Sequence, residues 1–400
     1  MSKLDELTNE LCPNGAEHMG LRTIAYYSNT RVSASVLDES NFVGVDNLLP
    51  NKAGKINAQY LPNTARLTSY FPGDVLLGNI RPYLHKIWLA DKPGGCSGDV
   101  LAIRIAESYR PYILPEFLYY VLSSDSFFAF DMKHAKGAKM PRGNKDAIMN
   151  FVVPVPPLPV QQEIVRILDM FTQLEAELEA ELEARRKQYD HYRRELLDFS
   201  NNSSVEWSTL GEVSMRVSSG GTPSSQNPSY YGGDIPWLRT QEVDFNEIKS
   251  TGMTITEKGL KNSSAKWIPA NSVIVAMYGA TAAKTAINAI PLTTNQACCN
   301  LQIDPSKAEF RYVFHWISNC YHQLRSLGEG SQNNINSRKV KSFRIPLPTL
   351  EVQRSIVTVL DNFDSLVHDL SSGLPAEISA RRKQYEYYRD KLLTFKELSA

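Results

Sequence analysis

The stretch "ARRKQYDHYRRELLDF", residues 184–199, returns as "ARRKQYEYYRDKLLTF" at residues 380–395. Eleven of the sixteen positions are identical, and the copies lie 196 residues apart in a chain of 400. The likeness extends upstream, where "FVVPVPPLPVQQEIVRILDMF" (151–171) aligns with "FRIPLPTLEVQRSIVTVLDNF" (343–363). The chain thus alternates a variable block with a shared block, twice. The period is far above the 20–50 residues of a solenoid, so the pattern predicts one duplication with pseudo-two-fold symmetry.

Each shared block is predicted to be helical. Apolar and aromatic residues of the first block recur at spacings of three and four, the pattern of a heptad seam, with Leu174, Leu178 and Leu182 inside the repeat "LEAELEAELEAR". In the second block Gly373 and Pro375 are expected to end one helix and start another. The economical partner for each seam is the other copy, packed antiparallel. The glutamates at 175–183 would then lie near Arg381, Arg382 and Lys383, unless they form only a solvated face.

Composition narrows the function classes. The chain is 22% charged and 42% hydrophobic, with 43 basic and 43 acidic residues, which indicates a soluble protein of two or more domains without strong autonomous nucleic-acid binding. No apolar run is long enough to cross a membrane. The five cysteines are scattered, with no CxxC spacing, which favours free thiols in a reducing cytoplasm.

The variable blocks mix short strand-like runs, such as "DVLLGNI" and "NSVIVAMYG", with one amphipathic helix each, at 115–124 and 309–319. The predicted fold class is α+β: two α/β-type domains separated by two long helices that pack as an antiparallel coiled coil. The expected boundaries are 1–154 for the first domain, 155–200 for the first helical region, 201–345 for the second domain and 346–400 for the second helical region.

Enzyme signatures are weak. "NPSY" (227–230) resembles the Asn-Pro-x-aromatic motif of amino-methyltransferases, but no Gly-rich cofactor loop precedes it. "GATAAKT" (279–285) resembles a phosphate loop, yet Ala283 stands where that loop needs Gly. The seven histidines form no paired metal-ligand arrangement. The sequence therefore gives no reason to expect catalysis or a metal in this chain.

Two polar loops at matched positions have the chemistry of nucleic-acid contact. "KHAKGAKMPRGNKD" (133–146) is basic, and "GEGSQNNINSRKVK" (328–341) is rich in Asn and Gln. Arg and Lys read guanine or phosphates, and Asn and Gln read adenine. Residues 16–154 hold 15 Lys and Arg against 12 Asp and Glu, and residues 205–345 hold 14 against 10. An ordinary surface loop is the alternative at any single position. The candidate contacts are Arg81, Lys136, Lys139, Arg142, Asn144 and Lys145 in the first block, and Gly220, Gly221, Thr222, Arg239, Thr240, Tyr278, Lys284, Gln332, Asn333, Asn334 and Asn336 in the second.

At this point the sequence resembles the specificity subunits of type I restriction-modification systems, over essentially its whole length. The resemblance is carried by "GGTPSSQNPSYYGGDIPWLRT" (220–240), "GEGSQNNINSRKVKSFRIPLPTLEVQRSIV" (328–357) and the paired "ARRKQY" helices. The first block departs from this pattern, since it lacks both the "GGTPS" loop and the Asn-rich form of the second loop.

The resemblance implies a non-catalytic subunit that reads double-stranded DNA, with a bipartite, asymmetric target and an unread spacer. It also implies docking of two modification (methyltransferase) subunits and, in the full nuclease, two restriction subunits. S-adenosylmethionine, ATP and Mg²⁺ would belong to those partners. Tyr189, Tyr192, Tyr385 and Tyr388 are candidate partner contacts, or they only fill the helix seam. The competing readings are a methyltransferase with a fused recognition domain and a coiled-coil adaptor without DNA readout.

Overall fold

The structure is a computed structural model that describes residues 3–200, 202–329, 334–369 and 371–398. The chain forms two compact units, one from Met1–Glu179 with Glu377–Ala400 and the other from Ala180–Ala376. Each unit therefore combines one variable block with parts of both shared blocks. No helix of the described ranges is long and apolar enough to cross a membrane.

In the described part of the chain, the first unit begins with a short helix and continues with four further helices, two four-stranded sheets and a two-stranded ribbon before the first shared block. Its elements are α1 (Lys3–Leu11), β1 (Glu17–Gly20), α2 (Leu21–Ile24), β2 (Ala25–Tyr27), β3 (Arg31–Ser33), β4 (Phe42–Val43), β5 (Arg66–Tyr70), β6 (Val75–Gly78), β7 (Ile87–Leu89), β8 (Gly94–Cys96), β9 (Val100–Ile105), α3 (Pro115–Leu122), α4 (Asp125–His134), α5 (Lys145–Ile148), β10 (Val152–Val155) and the beginning of α6 (Leu158–Leu196).

One antiparallel sheet of the first unit has the order β2-β9-β6-β7, and the other has the order β3-β5-β8-β4 with β4 parallel to β8. Every residue of β6 and β9 is buried, including Arg104 of β9, whose guanidinium pairs with the buried Asp74 at 2.7 Å. A separate ribbon pairs β1 with β10, from Glu17 opposite Val155 to Gly20 opposite Val152. This ribbon brings the start of the variable block next to the beginning of α6.

The second unit repeats this plan. Its elements after α6 are β11 (Glu206–Thr209), β12 (Ser214–Ser219), β13 (Tyr231–Leu238), β14 (Asn246–Ile248), β15 (Thr254–Ile255), α7 (Glu257–Lys261), β16 (Trp267–Ile268), β17 (Val273–Ala276), β18 (Thr285–Asn288), β19 (Leu292–Thr294), β20 (Cys298–Ile303), α8 (Phe310–Asn319), α9 (Tyr321–Ser326), α10 (Ser337–Lys341), β21 (Arg344–Leu347), α11 (Leu350–His368) and the start of α12 (Leu374–Leu392). The sheets have the orders β12-β20-β17-β18-β14 and β15-β13-β19-β16, and the ribbon is β11-β21.

A buried glutamine ties each variable block to the shared helix that follows it. The Oε1 atom of Gln161 accepts from the Leu114 N–H at 3.0 Å, and its Nε2 donates to the carbonyls of Tyr112 and Pro156 at 2.8 and 2.7 Å. Gln353 does the same in the second unit, with the Glu309 N–H at 2.9 Å and the Pro348 carbonyl at 2.8 Å. Both side chains are fully buried. The shared "VQ" of the two blocks is therefore a structural anchor.

An aspartate eight residues after each of these glutamines makes a second contact between the variable block and its shared helix. In the first unit Asp169 accepts a hydrogen bond from the Tyr120 hydroxyl at 2.5 Å. In the second unit the equivalent Asp361 accepts from Arg311 at 2.5 Å and from the His315 Nε2 at 2.7 Å. The aspartate occupies the same position in both copies. Its donor in the first unit is the neutral hydroxyl of Tyr120, whereas in the second unit the donors include the charged Arg311.

The predicted antiparallel helix pairing is confirmed inside each unit. In the first unit Phe171 of α6 lies 6.1 Å from Tyr385 and 5.8 Å from Tyr388 of α12, measured between ring centroids. Further along α6, Glu175 and Glu179 both contact Arg382, which comes earlier in α12. The predicted glutamate–arginine contact is thus present at these two positions.

In the second unit α6 pairs with α11 instead. Tyr189 and Tyr192 stack on Phe363, with ring centroids 6.3 and 5.4 Å apart. The leucine repeat between the two aromatic clusters is less buried than a continuous seam requires, because Leu174 is 36% exposed while Leu178 and Leu182 are half-buried. Aromatic side chains, more than the leucine stripe, fill the described helix contacts.

The two copies differ in continuity, as predicted. The first shared block is one helix of 39 residues, whereas the second is divided between α11 and α12. Gly373 lies at the break, where a Cβ atom would come within 2.5 Å of the Ser365 carbonyl oxygen and 2.7 Å of that of Leu366. Only glycine allows the chain to pass this close to the end of α11.

The predicted free thiols are also found. All five cysteines are free and buried, and Cys298 and Cys299 lie at the start of β20.

Candidate nucleic-acid interface

In the first unit, four of the predicted contact residues come together around one loop, residues 136–142, here called the basic loop. Lys136 and Arg142 close it with two reciprocal backbone hydrogen bonds of 2.9 Å. The Arg81 N–H donates to the Pro141 carbonyl at 2.7 Å, which brings Arg81 to the same loop although it is distant in sequence. Arg81, Lys136, Lys139 and Arg142 are all exposed. Four cations therefore share one solvent-facing surface.

The basic loop keeps most of its charge available. Arg142 contacts Asp99 at 3.1 Å, and the two side chains are 54% and 40% exposed. An ion pair this exposed contributes little free energy, so an incoming phosphate can compete for Arg142. Lys145 is also exposed, at the start of α5.

Asn144 has a structural role that the sequence did not suggest. Its Oδ1 accepts from the backbone N–H groups of Asp146 and Ala147 at 3.2 and 3.3 Å, so it caps α5. Asn336 caps α10 in the second unit in the same way, accepting from the Lys339 N–H at 3.0 Å. The matched asparagines thus fix the helix that follows each loop, and a role in DNA contact stays a prediction.

The second unit builds its loop on the same backbone bonds. Glu329 and Asn334 exchange hydrogen bonds of 3.0 and 3.1 Å, as Lys136 and Arg142 do. The Ile335 N–H donates to the Met277 carbonyl at 2.9 Å, which matches the bond from Gly143 to Asn79. Gln332 and Asn333 lie outside the described residues.

The side chains on this second loop are polar where those of the first are cationic. Asn334 is half-buried, and its Oδ1 accepts from the Gly279 N–H at 3.2 Å. The neighbouring Tyr278 is 42% exposed. Lys284 is engaged with Asp244 at 2.5 Å and lies 5.8 Å from the centre of the Phe245 ring, so it is less free than the cations of the basic loop.

The "GGTPS" segment is explained largely by packing. Gly220 and Gly221 are buried, and a Cβ atom on them would come within 2.0 Å of the Thr294 carbonyl oxygen and 2.3 Å of the Ala265 nitrogen. The Trp237 indole N–H donates to the Gly221 carbonyl at 3.0 Å. Thr222 is the exposed member of the three predicted residues, and its hydroxyl contacts Gln296. A direct phosphate contact by the glycines stays a prediction.

Arg239 and Thr240 are half-buried at the end of β13, where a short 3-10 helix begins at Thr240. The Arg239 Nε atom lies 3.8 Å from Glu242 and has no hydrogen-bond partner. The structure therefore places Arg239 close to an acidic neighbour with its Nε atom buried, and a DNA contact by Arg239 stays a prediction.

The four tyrosines of the shared helices differ in exposure. Tyr189 is 4% exposed, and its hydroxyl donates to Asp364 at 3.4 Å, so it belongs to the interior of the helix pair. Tyr192 and Tyr385 are half-buried against Phe363 and Phe171. Tyr388 is 37% exposed although its ring stacks on Phe171, and a partner contact by Tyr388 stays a prediction.

Sequence reasoning missed a polar cluster under the basic loop. Asp131 of α4 and Asn79 after β6 are 1% and 5% exposed, and both carboxylate oxygens and the amide Oδ1 lack hydrogen-bond partners. The sequence feature that could have revealed this cluster is Asp131, which occupies a core-facing position of the helix "DSFFAFDMKH". The second copy has Leu324 at the corresponding place. Among the described residues, no group of three or more His, Cys, Asp or Glu side chains could hold a metal ion.

The family model for the type I restriction modification DNA specificity domain matches residues 105–184 and 202–380, which is more than half of the chain. The chain belongs to this family. Among curated relatives, the specificity subunit of the type I restriction enzyme EcoR124I/EcoR124II from Escherichia coli is 41% identical over 246 residues, and the alignment covers 60% of this chain and 60% of that subunit. A putative type I restriction enzyme specificity subunit from Haemophilus influenzae is 30% identical over 296 residues, 70% of this chain and 72% of that protein.

Solved structures of the family share the fold. The HsdS subunit from Thermoanaerobacter tengcongensis is 21% identical with a TM-score of 0.53, covering 96% of this chain and 99% of that one. A structure from work on complex assembly and conformational transition of the type I R-M system has a TM-score of 0.63 at 20% identity, with 96% and 98% covered. The predicted fold class is confirmed by these specificity-subunit structures. The prediction of a specificity subunit rather than an enzyme is confirmed by the family and by the names of its curated relatives.

Proposed function

We propose that this chain is the DNA-reading subunit of a type I restriction-modification complex, in which each unit recognises one half of a bipartite target. The observation that supports this most is the pair of equivalent loops, which have the same backbone bonds and different exposed side chains. A duplicated scaffold with diverged surface loops is what two unlike half-sites require. In this proposal the recognition domains are residues 1–154 and 201–345, and the helical regions are 155–200 and 346–400.

The loop chemistry supports a division of labour. Arg81, Lys136 and Lys139 would contact phosphates or guanine edges in the first half-site. Asn334 and Tyr278 would contact base edges or sugars in the second, with less dependence on charge. The target is therefore asymmetric, because one unit presents cations where the other presents amides and a phenol.

The spacer follows from duplex geometry. Two domains that enter the major groove one helical turn apart have centres about 10 base pairs apart. If each reads three or four base pairs, roughly six or seven stay unread between them. Each "LEAE" unit of the repeat at 174–185 adds about 6 Å of helix at 1.5 Å per residue. Since a base-pair step is about 3.4 Å, deleting one unit is expected to shorten the spacer by one or two base pairs and leave both half-sites intact. An unchanged spacer in the methylated motif of the deletion variant would contradict this geometry.

Partner subunits supply the chemistry in this proposal. Two methyltransferase subunits would dock on the helical regions, with Tyr192, Tyr385 and Tyr388 as candidate contacts, and two restriction subunits would join in the full nuclease. S-adenosylmethionine, ATP and Mg²⁺ would be bound by those partners. Tyr189 would act inside the helix pair, since it is buried.

Modified-base sequencing of DNA from cells that express this chain with its cognate modification subunit tests the proposal. The expected result is a gapped, asymmetric, adenine-methylated motif that disappears when this chain is omitted. Absence of any motif, with both subunits expressed and assembled, would contradict DNA reading and favour a coiled-coil adaptor. An adaptor would also show no salt-dependent DNA binding in the assembled complex.

A further inference from the structure

The base of the basic loop contains a buried carboxyl group without a partner. Asp131 is 1% exposed, and neither of its side-chain oxygens has a hydrogen-bond partner. Asn79 is 5% exposed, and its Oδ1 is also unpaired. Buried polar groups nearly always have a partner, so neighbouring unpaired acceptors require an explanation.

Both side chains face Gly143, the residue that follows the basic loop. A Cβ atom on Gly143 would lie 2.6 Å from the Asp131 Oδ1 and 2.8 Å from the Asn79 Oδ1. The two oxygens therefore surround one point at which even a methyl group would collide. Little room is left here for another group to bind the two oxygens. A proton on the Asp131 carboxyl group could satisfy both oxygens without occupying additional volume.

The second unit shows that the fold does not require this polar cluster. The residues equivalent to Asn79 and Gly143 are Met277 and Ile335, because the same backbone bond of 2.9 Å joins each pair. Leu324 precedes Glu329 by five residues, as Asp131 precedes Lys136, so it is the counterpart of the aspartate. Met277, Leu324 and Ile335 are buried in one apolar cluster. The duplication thus provides an apolar control for the same site.

We propose that Asp131, in its protonated form, donates a hydrogen bond to the Asn79 Oδ1, which makes the position of the basic loop depend on pH. The proton comes from solvent, and no other group is consumed. Asp131 is then a positioning residue: it acts on DNA only through the loop above it. That consequence for DNA rests on the proposed function, whereas the proton bond itself does not.

The surroundings favour the neutral acid. Burial raises the pKa of Asp131 to about 6, and the charge of His134 on the same helix offsets this only in part. Burial, together with the charge of Asp131, raises the pKa of Tyr27 on β2, so that Tyr27 stays neutral. The other charged side chains of the loop and of α5 are exposed, namely Lys136, Lys139, Arg142, Lys145 and Asp146.

The sign of the pH effect follows from this direction. A carboxyl group whose pKa is higher in the folded state stabilises that state while it is protonated and loses its contribution as pH rises. The basic loop should therefore be most stable in acid, and it should lose this stabilisation as pH rises from about 4, the ordinary value for aspartate, through about 6. The equivalent loop of the second unit, with no carboxyl group at that position, should show no such change.

Hydrogen–deuterium exchange of the full chain between about pH 5 and pH 8 tests the proposal, after correction for the intrinsic exchange rate. In the natural protein, protection of residues 136–143 should fall by about tenfold between pH 5 and pH 8, with most of the fall below pH 6. In Asp131→Asn the amide donates permanently to Asn79, so protection should stay the same across the series. Residues 334–341 of the second unit are the internal control.

Two results would overturn the proposal: a flat profile in the natural protein, or the same slope in Asp131→Asn. Asn79→Met, which installs the residue of the second unit, removes the acceptor and should lower protection most at pH 5, where Asp131 is protonated, and least at pH 8. A natural profile in that variant would also overturn it. Binding of the assembled complex to a fluorescent DNA duplex, measured over the same series, separates the two proposals. If the loop opens while affinity is constant, the role of the loop in DNA binding fails and the proton bond stands.

Discussion

The two units follow one backbone plan and differ in what they present on it. Lys136 and Arg142 close the loop of the first unit with the same reciprocal bonds that Glu329 and Asn334 make in the second. The asparagines that cap the following helices are also equivalent, at positions 144 and 336. The comparison teaches that the duplication kept the bonds that position a loop and changed the side chains that the loop exposes.

The largest expected difference between the units is in their salt dependence. Replacing Arg81, Lys136 and Lys139 by alanine should weaken DNA binding by the assembled complex and reduce the slope of log affinity against log salt by about one for each lost phosphate contact. Tyr278→Ala in the second unit should lower affinity with the slope unchanged, because the phenol carries no charge. Fluorescence anisotropy over a salt series measures both.

Arg110→Ala is the matched control, since Arg110 is an exposed cation of the first unit outside the basic loop. An unchanged slope in the triple variant would contradict a phosphate role for the basic loop.

The glutamine anchors should matter equally to the two units. Gln161→Ala and Gln353→Ala each leave a buried N–H and buried carbonyls unpaired, so each should lower the free energy of unfolding of its unit by about 3 kcal/mol. Gln162→Ala, at the exposed neighbouring position, should have little effect. Denaturant unfolding followed by tryptophan fluorescence and circular dichroism measures the change. A loss below that of Gln162→Ala would show that the anchor is dispensable.

Removing the charge of the aspartate should destabilise the second unit more than the first, because only the aspartate of the second unit accepts from a charged donor. Asp361 is partly buried, which would raise its pKa, but the hydrogen bonds from His315 and Arg311 outweigh this and hold the pKa below its usual range. Asp361→Asn should therefore cost about 2 kcal/mol at neutral pH, and Asp169→Asn, which loses a bond to a neutral hydroxyl, about 1 kcal/mol.

The pH dependence checks the sign of that comparison. A carboxyl group with a lowered pKa stabilises the fold above its unfolded pKa, about 4, and loses this contribution as pH falls through the lower folded value. The difference between Asp361→Asn and the natural protein should thus shrink in acid. A difference that grows below pH 4 in thermal unfolding would refute the charged contact.

The smallest effect is expected in the helix pair of the first unit. Arg382 contacts Glu175 and Glu179 with side chains that are 54%, 27% and 52% exposed. Arg382→Ala should cost less than about 1 kcal/mol and the loss should vanish in high salt. Lys383→Ala, at an exposed neighbour, is the control for removing one positive charge. A larger, salt-independent loss would mean that the arginine stem packs in the seam.

Much of the fold could be predicted from short sequence patterns. The duplication, the helix break at Gly373 and the antiparallel direction of the helix pairs were all predictable, because the spacing of apolar residues and the positions of turn residues can be recognised within short segments. The leucine stripe misled in degree, since Leu174 is exposed and the aromatic residues at 171, 189 and 363 make the described contacts. Heptad spacing locates a seam but does not say which of its positions is filled.

Long-range contacts were the part that the sequence did not reveal. The approach of Arg81 to the loop at 141, and the pairing of Arg142 with Asp99, depend on how the sheet folds back. The buried glycines at 220 and 221 were predicted to contact DNA, whereas the close approach of Thr294 and Ala265 explains sterically why these positions are glycine. A residue type suggests a chemistry, but its neighbours decide whether the side chain is free to perform it.

Gln161 and Gln353 have a consequence for how such a subunit can change its target. Their bonds to the preceding block go to main-chain N–H and carbonyl groups, which every amino acid except proline can offer in full. A different variable block with the same backbone path would make the same hydrogen bonds to the glutamine, whatever its side chains. Under the proposed function, exchange of one variable block would replace half of the recognised sequence and leave these hydrogen bonds unchanged. The helical scaffold and its two glutamines would thus stay constant, while the variable blocks that carry the specificity could be exchanged.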